Sequence, residues 1–314
     1  MSVVVVGAGI AGVACALELR AAGVAVRVLD RAPVVGGRMA SRELHGRVVD
    51  YGAAYFTVRD REFADVVAHW QARGLARPWT AELAVLDAGG RGHSPGPMRW
   101  AAPGGLRSLV ADLAAGLDLQ LGHEVRRVGP GPVVDGEPAD AVVLAMPDPQ
   151  AVRLLDPASP AAACVTGRAW HPVLAVAAGF PEREWADLPA AFVNDHPVLS
   201  LVADDGDRRG DGAPVLVAHS TAALARRYDS DPDAAVAAVV GAVRDLLGLA
   251  SYTVWTDIHW WPCAAPEIGR DEPFLFGDDG IGLAGDGWGS PRIETAWRSG
   301  TLLGRELARR RRSD

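Results

Sequence analysis

Apolar positions in this chain follow different rhythms at its ends and in its middle. Val3-Val4-Val5-Val6 is an unbroken apolar run, as a parallel strand buried on both faces requires. A helix-compatible stretch follows from Ile10 to Ala22, then a second strand from Val24 to Leu29 that ends at Asp30. Glu62 to Arg73 has the helical period, with Phe63, Val66, Val67 and Trp70 on one stripe. Segment 75–100 reads as strand pieces broken by Gly89-Gly90 and by Pro95-Gly96-Pro97. A helix is expected from Leu106 to Ala115, a strand-like element from Leu119 to Val128, and a buried strand from Ala141 to Ala145. Between 151 and 270 the apolar runs 173–178, 198–203, 214–219 and 252–259 read as an antiparallel sheet, interrupted by a helix from Pro232 to Leu247. Asp204 to Gly212 reads as a polar turn. A short strand from Ile281 ends in Gly285-Asp286, and a last helix runs from Ile293 to Arg309.

Gly7, Gly9 and Gly12 give the spacing G-x-G-x-x-G between the first strand and the first helix. With an acid at the end of the next strand, this is a βαβ unit suited to a dinucleotide. The helix N-terminus offers free N–H groups and about half a positive charge to phosphate. Asp30 is placed to accept bonds from ribose hydroxyls, and its charge opposes a 2′-phosphate. Gly36-Gly37 permits close backbone approach to a ligand, and Arg38 adds a fixed positive charge.

Composition narrows the function classes. The chain has 314 residues, of which 49% are hydrophobic, enough for one or two domains with a large core. No apolar window is long enough to span a membrane, and the first strand leaves no room for a signal peptide. A net charge of −8 argues against nucleic acid as a partner. The run Arg309 to Arg312 complements the dipole of the last helix. Cys15, Cys164 and Cys263 are far apart and odd in number, which fits neither a disulfide framework nor a metal site and is consistent with the cytoplasm. Lysine is absent: all 31 basic residues are arginine. Lysine Schiff-base chemistry and a Walker-type phosphate loop are therefore excluded.

A plain nicotinamide dehydrogenase accounts for the start of the chain but not its end. Gly285-Asp286 on a terminal strand, followed by a helix, is what a flavin domain needs. The acid can bind ribityl or ribose hydroxyls, and the helix N-terminus can face the ring edge that gains negative charge on reduction.

The set Gly7/Gly9/Gly12, Asp30, Gly36-Gly37-Arg38, Asp50-x-Gly52-Ala53, Pro103-Gly104-Gly105, Ala145-Met146-Pro147 and Gly285-Asp286 resembles the flavin amine oxidase superfamily. Within it, Gly37 to Arg42, Asp50 to Thr57, Gly285 to Trp288 and Ile293 to Gly300 look most like the bacterial renalases. The resemblance implies an α/β, p-hydroxybenzoate-hydroxylase-like fold: a Rossmann-type FAD-binding domain with an inserted antiparallel-sheet substrate domain. The expected boundaries are 1–60, 101–150 and 271–314 for the FAD domain, and 61–100 and 151–270 for the substrate domain. It implies Gly7, Ala8, Gly9, Gly12, Asp30, Arg31, Gly37, Arg38, Gly52, Ala53, Val125, Gly285, Asp286 and Ile293 as neighbours of a non-covalent FAD, with the Val125 backbone near the adenine. Two departures stand out. Position 30 is Asp where the superfamily usually has Glu, and the lysine that many amine oxidases place near the flavin cannot exist here.

The renalase likeness implies oxidation of 2- or 6-dihydronicotinamide isomers of NAD(P)H by hydride transfer to flavin, with dioxygen as acceptor and H2O2 as product. Such donors need close stacking and little acid–base help. Aromatic residues near strand ends supply the substrate-side candidates: Tyr55, Phe56, His259, Trp260, Trp261 and Trp288. Core packing is the alternative for each, and of Trp260 and Trp261 one should face inward and the other outward. Arg59, Arg61, Arg99, Arg208 and Arg209 read as solvated surface charges rather than pyrophosphate ligands. No catalytic residue and no metal ligand is assigned. Two other functions share these features: an amine oxidase or desaturase of a specialised metabolite, and a dinucleotide-binding protein without turnover.

Overall fold

The computed structural model describes residues 2–87, 90–185 and 188–311. The chain divides into two compact units, each assembled from separate stretches of sequence. The first is Met1–Met39, Arg107–Trp170 and Ala265–Asp314, and the second is Ala40–Leu106 and His171–Ala264.

The first unit is built on six strands in the order Leu275–Phe276, Ile281–Leu283, Ala141–Leu144, Ser2–Val6, Ala25–Asp30, Asp118–Leu121. All pairings are parallel except that of the short edge strand Leu275–Phe276. Ser2–Val6 lies in the middle, with Val5 opposite Val28 on one side and Val143 on the other. Both faces of that strand are covered, which is why its apolar run shows no alternation. Helix Ile10–Ala21 packs against the final helix, Ile293–Arg311. Val4, Val6, Leu144, Leu283 and Trp288 share one apolar core with the short helix Pro160–Val165.

The second unit carries an eight-stranded sheet in the order Trp255–Pro266, Trp170–Gly179, Val215–Ser220, Leu199–Asp204, Ala190–Val193, Arg77–Asp87, Gly90–Ala101, Phe56–Thr57. Antiparallel pairing dominates, but Ala190–Val193 runs parallel to Arg77–Asp87. Helix Val236–Leu247 covers one face through Val239 and Val243, which pack with Val176, Val202 and Leu216. Helix Arg61–Ala72 starts where predicted because the Asp60 carboxylate caps the N–H groups of Glu62 and Phe63 at 2.9 and 3.1 Å. Among the described residues, no helix is long and apolar enough to cross a membrane, and no group of three His, Cys, Asp or Glu side chains could hold a metal ion.

The domain boundaries read from sequence are corrected. Residues 40–60 and 101–106 belong to the second unit, and 151–170 and 265–270 to the first. Hydrogen bonding and packing explain the change. Ser41–Leu44 and Arg47–Asp50 form a hairpin whose Leu44 and Val49 pack on Ala177, Val215 and Val217. Phe56–Thr57 pairs with Gly90–Ala101.

Three local expectations also change. Pro95-Gly96-Pro97 does not break its strand, because the pairing with Arg77–Asp87 shifts register there and a proline needs no ladder partner at a bulge. Gly90 begins that strand, whereas Gly89 lies outside the described residues, as does Arg312 of the terminal arginine run. The strand expected over Leu119 to Val128 stops at Leu121, and the His123 N–H then donates to the Asp30 carbonyl at 2.9 Å. Asp204 to Gly212 is not a solvated turn. It holds a short helix, Asp205–Arg209, capped by the Asp204 carboxylate and ended by Gly210 at φ +82°.

Candidate cofactor and substrate sites

The glycine spacing does local work in the first unit. A Cβ at Gly12 would lie 1.9 Å from the Gly7 carbonyl oxygen, so the first turn of the helix can approach the loop only without one. A Cβ at Gly9 would meet nothing within 4 Å. Gly9 is the helix N-cap, no side chain caps that end, and its first turn has no acid. The first N–H groups thus border open space, as a phosphate cradle requires. The Asp30 carboxylate closes the loop: one oxygen accepts from the Ala8 N–H at 2.6 Å and the other from the Ala32 N–H at 2.8 Å. Asp30 therefore shapes the cradle. Buried Val125 lies beside an open cleft bordered by His123, Glu124, Arg126 and Asp135.

The Gly285 loop is held from several sides within the same unit. The Gly285 N–H donates to the Ser299 hydroxyl at 3.0 Å, which fastens the loop to the last helix. Buried Arg270 pairs with Asp148 through two nitrogens at 3.2 and 3.0 Å, donates to the Gly287 carbonyl at 3.2 Å, and lies 4.2 Å above the Trp288 ring. The Trp170 indole N–H also donates to Asp148, at 3.1 Å. Arg38 and Asp286 form a two-point ion pair, at 2.8 and 2.5 Å. The sequence assigned these two to separate ligand groups, but in the fold they balance each other while Asp286 stays at the end of its strand.

Gly52 and Ala53 lie in the second unit, on a mount of buried charge that sequence reasoning missed. Asp205 accepts from Arg208 Nε at 2.8 Å, Arg209 Nε at 3.0 Å and Arg47 Nη1 at 2.6 Å. Burial pushes the Asp205 pKa up, but the three guanidinium groups outweigh it and leave the carboxyl below its ordinary value. Arg208 also donates to the carbonyls of Asp50 and Ala54, so one guanidinium spans the loop that contains Gly52 and Ala53. Asp50 in turn accepts from the Leu106 N–H at 2.9 Å, binds the Ser41 hydroxyl and pairs with Arg209 at 3.2 Å. The only signal in the sequence was the density of acid and arginine from Asp204 to Asp211, which equally describes a surface turn.

The substrate-side candidates separate on the structure. His259 and Trp261 join Tyr51 in one aromatic group: Tyr51 and Trp261 stack with centroids 5.7 Å apart and planes 19° apart, and His259 lies 4.8 Å from the first and 4.2 Å from the second. The Trp261 indole N–H donates to the Tyr51 carbonyl at 2.9 Å. Arg42, paired with Asp257, lies 5.2 Å from the Tyr51 ring. Burial, then Arg42, lowers the His259 pKa against the opposing pull of Asp257, which favours the neutral imidazole. Trp260, the next residue on the strand, packs instead with Leu174, Ala225 and Ala235. Tyr55 lies in a different cluster, 6.3 Å from Trp79. Phe56 is buried among Phe63, Trp70 and Trp100, and Trp288 is buried in the core of the first unit.

His219, on strand Val215–Ser220, gives this unit a dependence on pH. Burial, then the nearby Arg208 charge, lowers its pKa from 6.5 to about 4. The unfolded chain takes up this proton as pH falls below 6.5, whereas the folded chain resists until about 4. Stability from this group is therefore complete above pH 6.5 and is lost on acidification to about 4, by roughly 3 kcal/mol. Urea midpoints at neutral and acid pH, for the parent and for His219→Gln, check this. The variant should lose that share of the acid sensitivity, and equal sensitivity in both proteins refutes it.

The cradle, the strand-end acid and the glycine-acid loop define a protein that binds a dinucleotide cofactor on a Rossmann-type sheet. A model of the NAD(P)-binding Rossmann-like domain matches residues 5–70. The chain belongs to the flavin-containing amine oxidoreductase family, whose model matches residues 94–306. Cyclohexylamine oxidase from Brevibacterium oxydans IH-35A shares the fold with a TM-score of 0.78, at 15% identity over 99% of each chain. Putrescine oxidase bound to putrescine is similar with a TM-score of 0.73, at 16% identity over the full length of both. The hydroxyneurosporene desaturase of Rubrivivax gelatinosus is 41% identical over 97 residues, which cover 30% of this chain and 18% of that protein. FAD fits the residues present: the open space at Gly9 and the uncapped helix start suit its pyrophosphate.

Proposed function

We propose that the protein is an FAD-dependent oxidase of isomeric dihydronicotinamide dinucleotides. It takes 2- or 6-dihydro-NAD(P) with dioxygen and a proton, and gives NAD(P)+ and H2O2. FAD, when bound, supplies N5 as hydride acceptor and passes the electron pair to dioxygen. Gly9 and the helix start at Ile10 hold the cofactor's phosphates, Asp30 its ribose, and Gly285-Asp286 its ribityl end. The reading rests above all on the Tyr51–Trp261 pair, stacked within 19° and flanked by a neutral-leaning His259. Two nearly parallel rings suit a flat nicotinamide, and the imidazole can bond its carboxamide. A donor that is already electron-rich needs no strong base, in keeping with a chain that has no lysine.

The match to a hydroxyneurosporene desaturase favours a second reading, removal of hydrogen from an apolar substrate. Anaerobic mixing tests the proposed reaction and separates it from amine oxidation. The purified flavoprotein should lose its long-wavelength flavin absorbance rapidly with 2- or 6-dihydro-NAD(P), and slowly or not at all with putrescine or cyclohexylamine. His259→Ala should weaken binding of the isomers more than His259→Gln. Bleaching by an amine alone transfers the protein to amine oxidation, and bleaching by neither isomers nor amines rules out the proposed reaction.

A further inference from the structure

Arg99 sits near the C-terminal end of strand Gly90–Ala101, paired across the ladder with Thr57 and Thr80. It is only 5% exposed. Its Nε and Nη1 are buried, and among the described residues neither finds a hydrogen-bond acceptor. Its neighbours give it a surface to lie on without neutralising it. The Tyr55 ring is 5.5 Å from the guanidinium carbon, and the bare backbone of Gly96 leaves room beside Nη2, where a Cβ would approach to 3.2 Å. Trp79 is next to Tyr55, and its indole N–H holds the Asp207 carboxylate at 2.7 Å. Ala54, Leu83, Ala190 and Ala203 complete an apolar lining around Tyr55.

A cation taken out of water is normally matched by a fixed anion. Asp205, in the same unit, shows what a matched site looks like, with three arginines on one carboxylate. Arg99 has an aromatic face and an apolar floor and, among the described residues, no ion-pair partner. We propose that Arg99 is an anion anchor, which binds the phosphate or carboxylate oxygens of a small flat ligand whose body lies along Tyr55. The guanidinium fork suits two oxygens at once. This deepens the proposed function and rests on it: a dinucleotide substrate carries a pyrophosphate, whereas a cationic amine carries the same sign of charge as Arg99 and is repelled.

The test uses the FAD-loaded protein with Arg99→Met and Arg99→Lys, and two probes, sodium pyrophosphate and sodium benzoate. Calorimetric titration gives affinity, and thermal melting without either probe gives stability. The parent should bind one of the two anions, pyrophosphate if the natural group is a phosphate and benzoate if it is a carboxylate. Arg99→Met should weaken that binding by at least about tenfold, and Arg99→Lys should retain part of it. Without the anion, Arg99→Met should melt at or above the parent temperature, because it removes an unmatched buried charge. A structural role predicts the reverse, so a lower melting temperature or failure to fold overturns the proposal. So does unchanged binding in Arg99→Met, or a parent that binds neither anion. None of these readings uses flavin reduction: if pyrophosphate binds through Arg99 but no dihydronicotinamide isomer bleaches the flavin, the anchor stands and the reaction falls.

Discussion

Asp205→Ala should be the most damaging single substitution in the second unit, costing about 3–5 kcal/mol. Removal of the carboxylate leaves Arg208 and Arg209 buried and Arg47 unmatched at its Nη1. Arg208 then loses its carboxylate and Arg209 is left with Asp50, so much of the negative charge that offset their desolvation is gone. A domain stabilised by about 5–15 kcal/mol would lose a large part of its margin. Asp205→Asn keeps the shape and some hydrogen bonds, and should fall between the variant and the parent. Urea denaturation of the three proteins checks this order. A loss below about 1 kcal/mol for Asp205→Ala would show that the network is as weak as a surface ion pair. The loop on which Gly52 and Ala53 sit should loosen as well, because Arg208 holds it through the carbonyls of Asp50 and Ala54.

Gly9→Val should separate folding from cofactor binding. Gly9 has φ −74° and ψ 175°, which any residue adopts, and a Cβ there touches nothing within 4 Å. The sheet and helix should therefore form with a loss of at most about 1 kcal/mol. The branched side chain would fill the space in front of the helix start, which is the proposed place of the pyrophosphate. The expected product is a folded, colourless protein, with flavin occupancy reduced by about a hundredfold or more. Flavin released by acid and counted against protein, together with circular dichroism, measures both sides. A yellow Gly9→Val protein with a full complement of flavin would place the phosphates elsewhere. Gly12→Ala is the contrasting control. Its Cβ would collide with the Gly7 carbonyl at 1.9 Å, so it should lose both flavin and stability.

The first unit was the more legible in the sequence. Its signals are local: an apolar run, a glycine spacing, an acid at the strand end, all within the first 30 residues. Val4 and Gly12 behave as their chemistry predicts, and Asp30 stands at the strand end, where its carboxylate accepts from the Ala8 N–H. The second unit was legible as a sheet, because alternation and apolar runs carry over distance, but not as a site. Whether Arg208 is solvated or buried depends on residues 154 and 158 positions away, Ala54 and Asp50. No local pattern encodes that pairing. The same limit explains why Arg99, Arg208 and Arg209 read as surface charges and why Asp148 and Arg270 drew no attention. Arg270 meets Asp148 from 122 positions away and Arg208 reaches carbonyls 154 and 158 positions away, and a buried arginine has the same letters around it as an exposed one. Aromatic residues met a related difficulty. Trp260 and Trp261 are neighbours on one strand, and alternation puts Trp261 on the face of His259, but no local pattern brings Tyr51 to that face.

The central strand of the first unit has consequences for how the protein is made. Val4 needs Val142 on one flank, and Val142 needs Ile281 on its other side. The strand Ile281–Leu283, which leads into Gly285 and Asp286, is thus made well after the two strands whose sheet it completes. Until it emerges, the amino-terminal cradle exists without its counterpart, and the parallel sheet has an open edge exposed to other chains. Synthesis, not affinity, then sets the earliest moment at which the coenzyme can be captured, and a ribosome that stalls before Ile281 leaves behind a sticky intermediate rather than a slow enzyme.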